Sequence, residues 1–249
     1  MRIITPNKIV LGGCLLAFGA SFLNTGFLLS VGTSVSHLTG DIARIGSGLS
    51  HINNADGQFL AKVSIATLGF ITGATVSGFL LHHPTLELTR PYGRTLSALG
   101  LFLIVAHLIH TKHPLLSIGI ASAVCGAQNA LANRYRGVVL RTTHLTGLFT
   151  DFGIHLGMRL RGHDIKAWKL LIPVWITLSF LSGAAANTYL LMMGRSDWLL
   201  LAGVGYISAG IIWSIYKRTG VEQVGAGQPA TRTELDSERS DKPQPESER

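Results

Sequence analysis

His37-Leu38-Thr39-Gly40-Asp41-Ile42-Ala43-Arg44-Ile45-Gly46 and His144-Leu145-Thr146-Gly147-Leu148-Phe149-Thr150-Asp151-Phe152-Gly153 share His-Leu-Thr-Gly and a later glycine at a spacing of 107 residues. A second pair agrees with the first. Leu68-Gly69-Phe70-Ile71-Thr72-Gly73-Ala74 matches Leu178-Ser179-Phe180-Leu181-Ser182-Gly183-Ala184 at a spacing of 110, and Leu80-Leu81 matches Leu190-Leu191 at the same offset. Asn24 and Asn129, each late in the apolar run before its His-Leu-Thr-Gly segment, fit the scheme at a spacing of 105. Ordered matches at nearly one spacing indicate a duplicated unit. The first half covers about residues 9–110 and the second about 114–216.

Around these segments lie apolar runs of the length a helix needs to cross a bilayer, about 20 residues. They are Ile9 to Val31, Ala61 to Leu81, Leu96 to Ile109, Leu115 to Leu131, Leu170 to Met193 and Trp198 to Tyr216. With 47% hydrophobic and only 14% charged residues, the composition suits a lipid solvent better than water. Pro6, Pro114 and Pro173 stand near the starts of runs, where a missing N–H costs little. The net charge of +8 does not imply nucleic acid, because the basic residues flank the apolar runs as membrane-helix anchors do. Cys14 and Cys125 lie inside runs and read as packing residues, so neither a disulfide framework nor a metal site is expected, and no cofactor motif is present. Leu11-Gly12-Gly13-Cys14 faintly resembles a lipoprotein cleavage site, but too few apolar residues precede it, and the first run is expected to be a retained helix. His107, His110, His113, His82 and His83 read as interfacial residues. From Thr219 onward the chain is polar and charged with little to bury, which predicts a disordered cytoplasmic tail over 219–249 behind a membrane domain over 1–218.

Counting charges decides the topology. If both His-Leu-Thr-Gly segments spanned fully, Arg90, Arg94, Arg134, Arg136 and Arg141 would lie outside, against the positive-inside rule. If they are broken or re-entrant, each half has three full spans and those residues fall inside with Arg2, Lys8, Arg159, Arg161, Lys166, Lys169, Lys217 and Arg218. An odd number of spans per half forces the second half in upside down. The expected fold is therefore an all-α integral membrane protein with six full transmembrane helices and two broken or re-entrant helices, arranged as an inverted repeat of two halves. Both termini are expected to be cytoplasmic.

Two interrupted helices entering from opposite faces can meet near the midplane and form a site there. Gly40 and Gly147 permit non-helical backbone, and Thr39 and Thr146 are expected to cap the half-helices, whose free N–H groups suit an anionic or strongly polar solute. Thr-Gly alone is equally consistent with a simple kink. Arg44 and Asp151 occupy equivalent positions, so they are expected to approach each other; Asp41 with Arg44 is the competing local pair, and either could be a plain ion pair. His37 and His144 suit solute binding or proton transfer, or are core histidines satisfied by carbonyls. Asn24, Gln128 and Asn129 suit solute contact or helix-to-helix hydrogen bonding. The stripes Gly69, Gly73, Ser77 and Ser179, Gly183, Asn187 read as packing seams.

Leu38-Thr39-Gly40-Asp41, Gly126-Ala127-Gln128-Asn129-Ala130 and Thr142-Thr143-His144-Leu145-Thr146-Gly147 resemble, in order, the Met-Thr-Gly-Asn, Gly-Met-Gln-Asn-Ala and Thr-Thr-x-x-Thr-Gly elements of the bacterial YoaK family, over approximately residues 10 to 216. The resemblance implies a multi-span protein of the bacterial inner membrane and brings no established activity. The chain departs from the family pattern in having Asp41 where the family has Asn.

The function expected from these features is transport or channelling of a small solute, with the lipid bilayer and that solute as partners and no nucleic acid. A homo-oligomer is compatible with the sequence. The alternatives are a membrane enzyme acting on a lipid-linked substrate and a scaffold that uses the charged tail. No zinc-protease helix motif, nucleophile elbow or phosphate loop supports an enzyme.

Overall fold

The computed structural model describes residues 6–48, 54–81, 92–131, 134–135, 138–139 and 143–225. Eight helices occur among them: α1 (Pro6–Val31), α2 (Leu38–Gly48), α3 (Asn54–Leu81), α4 (Tyr92–Ile109), α5 (Pro114–Leu131), α6 (Leu145–Leu160), α7 (Ala167–Met192) and α8 (Trp198–Gly225). A two-residue antiparallel pairing, Arg134–Tyr135 with Val138–Val139, lies between α5 and α6. Pro6 and Pro114 open α1 and α5 at the position where proline lacks nothing a helix needs. Pro173 lies inside α7, which begins at Ala167 rather than at the expected Leu170. Gly32, Gly162 and Gly194 follow α1, α6 and α7 with φ of +75°, +92° and +73°, the left-handed turn that ends a helix and that a Cβ would oppose.

Six of the described helices are long and apolar enough to cross a membrane: Val10–Val31, Gly57–Leu80, Tyr92–Ile109, Pro114–Leu131, Ala167–Met192 and Trp198–Tyr216. Their outward faces carry large apolar side chains such as Leu68, Phe79, Leu108 and Ile212, which have no place in water. The chain is thus a multi-pass helical membrane protein. At 11 and 16 residues, α2 and α6 are about 16 and 24 Å long, short of a hydrocarbon core of about 30 Å.

Small residues bring the long helices close. A Cβ at Gly69 or Gly73 would fall on the carbonyl of Gly119 or Ala123, so α3 runs parallel to α5 with backbones touching. Gly183 stands in the same way against Phe18, and the Ser179 hydroxyl donates to the Cys14 carbonyl at 2.7 Å, which aligns α7 parallel to α1. These are one set of contacts with the halves exchanged: Gly73 and Gly183 are 110 apart, Ala123 and Phe18 are 105 apart, and Gly69–Gly119 matches Ser179–Cys14. Helices α4 and α8 meet each other instead. A Cβ at Gly93 would lie 2.5 Å from the Gly210 carbonyl oxygen and one at Gly100 2.5 Å from that of Gly203, so the two helices run antiparallel. Gly93 and Gly203, and likewise Gly100 and Gly210, are 110 apart.

Aromatic contacts close one end of the bundle. His110, after α4, meets the rings of Phe27 and Trp198 edge-on with centroids 5.6 and 6.0 Å away, and its Nδ1 lies 3.1 Å from Ser117 Oγ. That interfacial histidine therefore ties α1, α5 and α8 together. By contacts the chain divides into residues 1–214 and 215–249. Helix α8 continues to Gly225, beyond the boundary expected at residue 218, and the rest of the expected tail lies outside the described residues, as do Arg2, Arg90, Arg136, Arg141, His82 and His83.

Candidate functional site

After Val31 the chain does not leave the bundle. Residues 32–37 fold back along α1, so that the N–H groups of Val35 and Ser36 and the Ser36 hydroxyl all donate to Asn24 Oδ1 at 3.1 Å. Asn24 lies seven residues before the end of α1, about 10 Å down its axis. The Val35 carbonyl accepts from the Ser122 hydroxyl of α5 at 2.6 Å. Asp41, in the first turn of α2, turns its carboxylate back on the same loop, accepting from the Ser34 N–H at 2.7 Å and the Thr33 hydroxyl at 3.2 Å. Lys62 of α3 donates to the Val31 carbonyl at 2.8 Å, satisfying an orphan acceptor at the end of α1. Buried irregular backbone is tolerable only when its polar groups are paired, and here side chains from α1, α2 and α5 supply partners for Ser34, Val35 and Ser36. The Gly32-Thr33-Ser34-Val35-Ser36 run, rich in small hydroxyl residues, was the available sequence signal for this loop.

The loop delivers His37 to the junction of the two repeated segments. Its ring packs edge-on against Phe180 of α7, with centroids 5.0 Å apart, and its Nδ1 lies 2.9 Å from Ser36 Oγ. It also faces the backbone of Thr143, the residue before the second His-Leu-Thr-Gly, while Nε2 is shielded and outside hydrogen-bonding geometry. The structure therefore brings the first segment against the second.

Helices α2 and α6 begin at Leu38 and Leu145, the same position of the repeat. Thr39 and Thr146 therefore sit inside the first turns and do not cap them, contrary to expectation. His144 is the N-cap of α6 and makes no side-chain capping bond. Its ring instead fills the space where a Gly147 Cβ would stand. Around Gly40 the space is open, with nothing within 4 Å of a Cβ, and Thr39, Gly40, His144 and Thr146 are exposed.

Arg44 and Asp151 do not pair. The Arg44 guanidinium lies over the Phe59 ring of α3, 4.4 Å from its centroid, and Asp41 is engaged with the loop, so the local pairing is also not formed. Among the described residues the ion pair is Arg195 with Asp197, at 2.5 Å and exposed. The physical reason is that α2 packs on α3 and α6 on α7, so residues beyond the first turn of each short helix are carried away from the junction. Gln128 is fully buried, donating to the Leu16 carbonyl at 2.6 Å and accepting from Tyr206, which joins α5 to α1 and α8. Asn129, the counterpart of Asn24, keeps a buried Oδ1 without a partner among the described residues.

No curated protein and no solved structure matches the chain. One family profile, described as "Protein of unknown function (DUF1275)", matches residues 12–213, from the first turns of α1 to the last of the six apolar spans, with both His-Leu-Thr-Gly segments inside. The chain belongs to the DUF1275 family, the group that contains the YoaK proteins it resembles.

Proposed function

We propose that the protein is an inner-membrane transporter or channel for a small polar or anionic solute, built as an inverted repeat, with its site where the two re-entrant His-Leu-Thr-Gly segments meet. The observation that carries this reading is the approach of His37 to the Thr143 backbone, which supports a meeting of the two segments just before the starts of two helices too short to span. The exchange of contacts between halves supports it, because reciprocal contacts are what a twofold relation produces. The antiparallel α4 and α8 add to that support. They are repeat equivalents, so opposed directions mean opposed halves.

On this reading α2 opens toward one face of the membrane and α6 toward the other, and six full spans return both termini to the cytoplasmic side. Helix N-termini offer free N–H groups and a partial positive charge. At α2 that charge is offset by Asp41, whereas α6 has no acidic residue in its first turn and no side-chain cap. The α6 end is therefore the stronger anion-facing element, with Thr146 as a neighbouring hydroxyl and Thr39 and Gly40 across the junction. The Asp41 that departs from the family pattern thus sets the charge of the site as well as the fold of the loop.

The test uses single cysteines at Gly40→Cys and Thr146→Cys with Cys14 and Cys125 replaced, and a membrane-impermeant maleimide applied to right-side-out and inverted vesicles. Position 146 is preferred to 147 because the His144 ring occupies the latter's Cβ space. The expected result is roughly tenfold preferential labelling from opposite faces. Labelling of both positions from one face sinks the inverted site.

A further inference from the structure

Ser36 links His37 to Asn24, and the direction of that link sets where the proton of His37 sits. Asn24 Oδ1 receives two backbone N–H groups, from Val35 and Ser36, which identifies that amide atom as the oxygen on chemical grounds. The Ser36 hydroxyl stands 3.1 Å from the same oxygen, and two oxygens at that distance attract only with a hydrogen between them. In the arrangement that keeps this third bond to Asn24, the single hydroxyl proton of Ser36 points to Asn24. Toward His37 the hydroxyl then accepts, and the Nδ1 at 2.9 Å donates to it. The neutral ring is then the Nδ1–H tautomer, and its Nε2 holds a bare lone pair, shielded and with no donor to meet it.

We propose that His37 is the proton-binding group of the transport site, taking a proton on Nε2 and donating it as a hydrogen bond to the Thr143 backbone, so that protonation docks the two repeated segments and deprotonation releases them. This rests on the transport reading and names its coupling ion as the proton. The proton comes from water, one N–H bond forms and no other bond changes. Protonation leaves Nδ1–H where Ser36 already holds it, so the ring need not turn. The groups facing the ring are Ser36 from the loop, Phe180 from α7 and Thr143 before α6. Among the described residues no charged side chain contributes to the ring's electrostatics, so no carboxylate there competes as the acceptor. The nearest ionisable neighbours in sequence and repeat are Asp41, spent on Ser34 and Thr33, and His144, whose ring sits against Gly147.

The experiment reads maleimide labelling of Gly40→Cys in the full chain in vesicles between about pH 5 and 8, the range in which histidine titrates. Each rate is divided by that of the same cysteine in a His37→Gln background, which removes the intrinsic pH dependence of the thiol. The ratio is expected to fall by roughly fivefold on acidification as the segments dock, and to do so also with His144→Gln. A flat ratio, or one abolished by His144→Gln, overturns the proposal. If His37→Gln fails to fold, ring-labelled histidine NMR of the wild-type protein decides: an Nδ1–H tautomer that titrates in this range is expected, and its absence at pH 8 overturns the proposal. Opposite-face labelling without the pH effect removes the proton and keeps the site. Same-face labelling with an intact Nδ1–H titration removes the transport reading alone.

Discussion

Gly73→Val and Gly183→Val are each expected to leave little folded protein in the membrane, whereas Gly78→Val accumulates like the wild type. The added Cβ at Gly73 falls on the Ala123 carbonyl and the one at Gly183 on the Phe18 carbonyl, both backbone atoms that cannot swing away. Helices α3 and α5, or α7 and α1, must then move apart along their length. Lipid offers no hydrophobic force to hold separated helices together, so close packing is what secures them. Overpacking of a tight site costs about 1–3 kcal/mol and more where backbone must move, and here each seam joins one half to the other, so a cost of about 3 kcal/mol or more is expected. Gly78 meets nothing within 4 Å and tolerates a branched side chain facing lipid. Monodisperse yield in detergent and thermal unfolding check this. Wild-type yield of Gly73→Val would show that the seam gives way more easily than its geometry implies.

Much of this architecture is legible in the sequence. The six apolar runs emerge as helices because a bilayer admits few alternatives for a chain of that hydropathy. The seams at Gly69, Gly73, Ser179 and Gly183 were visible because small residues at four-residue spacing have one common use in a membrane. The glycines Gly93, Gly100, Gly203 and Gly210 follow the same repeat but carry no signal in the sequence alone, since isolated glycines in apolar runs are frequent and their meaning lies in which helices meet. The Arg44–Asp151 expectation failed for a physical reason. Equivalence in a repeat says that two positions have like surroundings, and brings them together only near the axis relating the halves. Ser97 and Ile207, 110 apart, are equivalents that do meet, with the Ser97 hydroxyl 3.5 Å from the Ile207 carbonyl oxygen. The loop network around Asn24 was illegible for another reason: its acceptor and donors lie 11 and 12 residues apart, and only the fold-back of the chain joins them.

That network makes the sharpest difference between the two halves, and it yields opposite outcomes for one substitution at equivalent positions. Asn24→Leu removes an acceptor that serves the Val35 N–H, the Ser36 N–H and the Ser36 hydroxyl. The hydroxyl keeps its contact with His37 Nδ1, but the two N–H groups are left buried, at about 1–3 kcal/mol each, with membrane interiors toward the lower end. A loss of about 2–4 kcal/mol is expected, seen as a clear drop in the detergent melting temperature and a faster reaction of a cysteine at position 40. Asn129→Leu removes a buried Oδ1 that has no partner among the described residues, so it gives up no hydrogen bond to them and relieves the cost of burying the group. Its stability is expected to stay within about 1 kcal/mol of the wild type or to rise. Equal losses at the two positions would show that the second half holds its own loop in the way Asn24 holds the first, and that the asymmetry is not a property of the folded protein. Unequal losses in the expected sense would mean that Asn24 clamps the chain before the first His-Leu-Thr-Gly segment and that Asn129 has no such role.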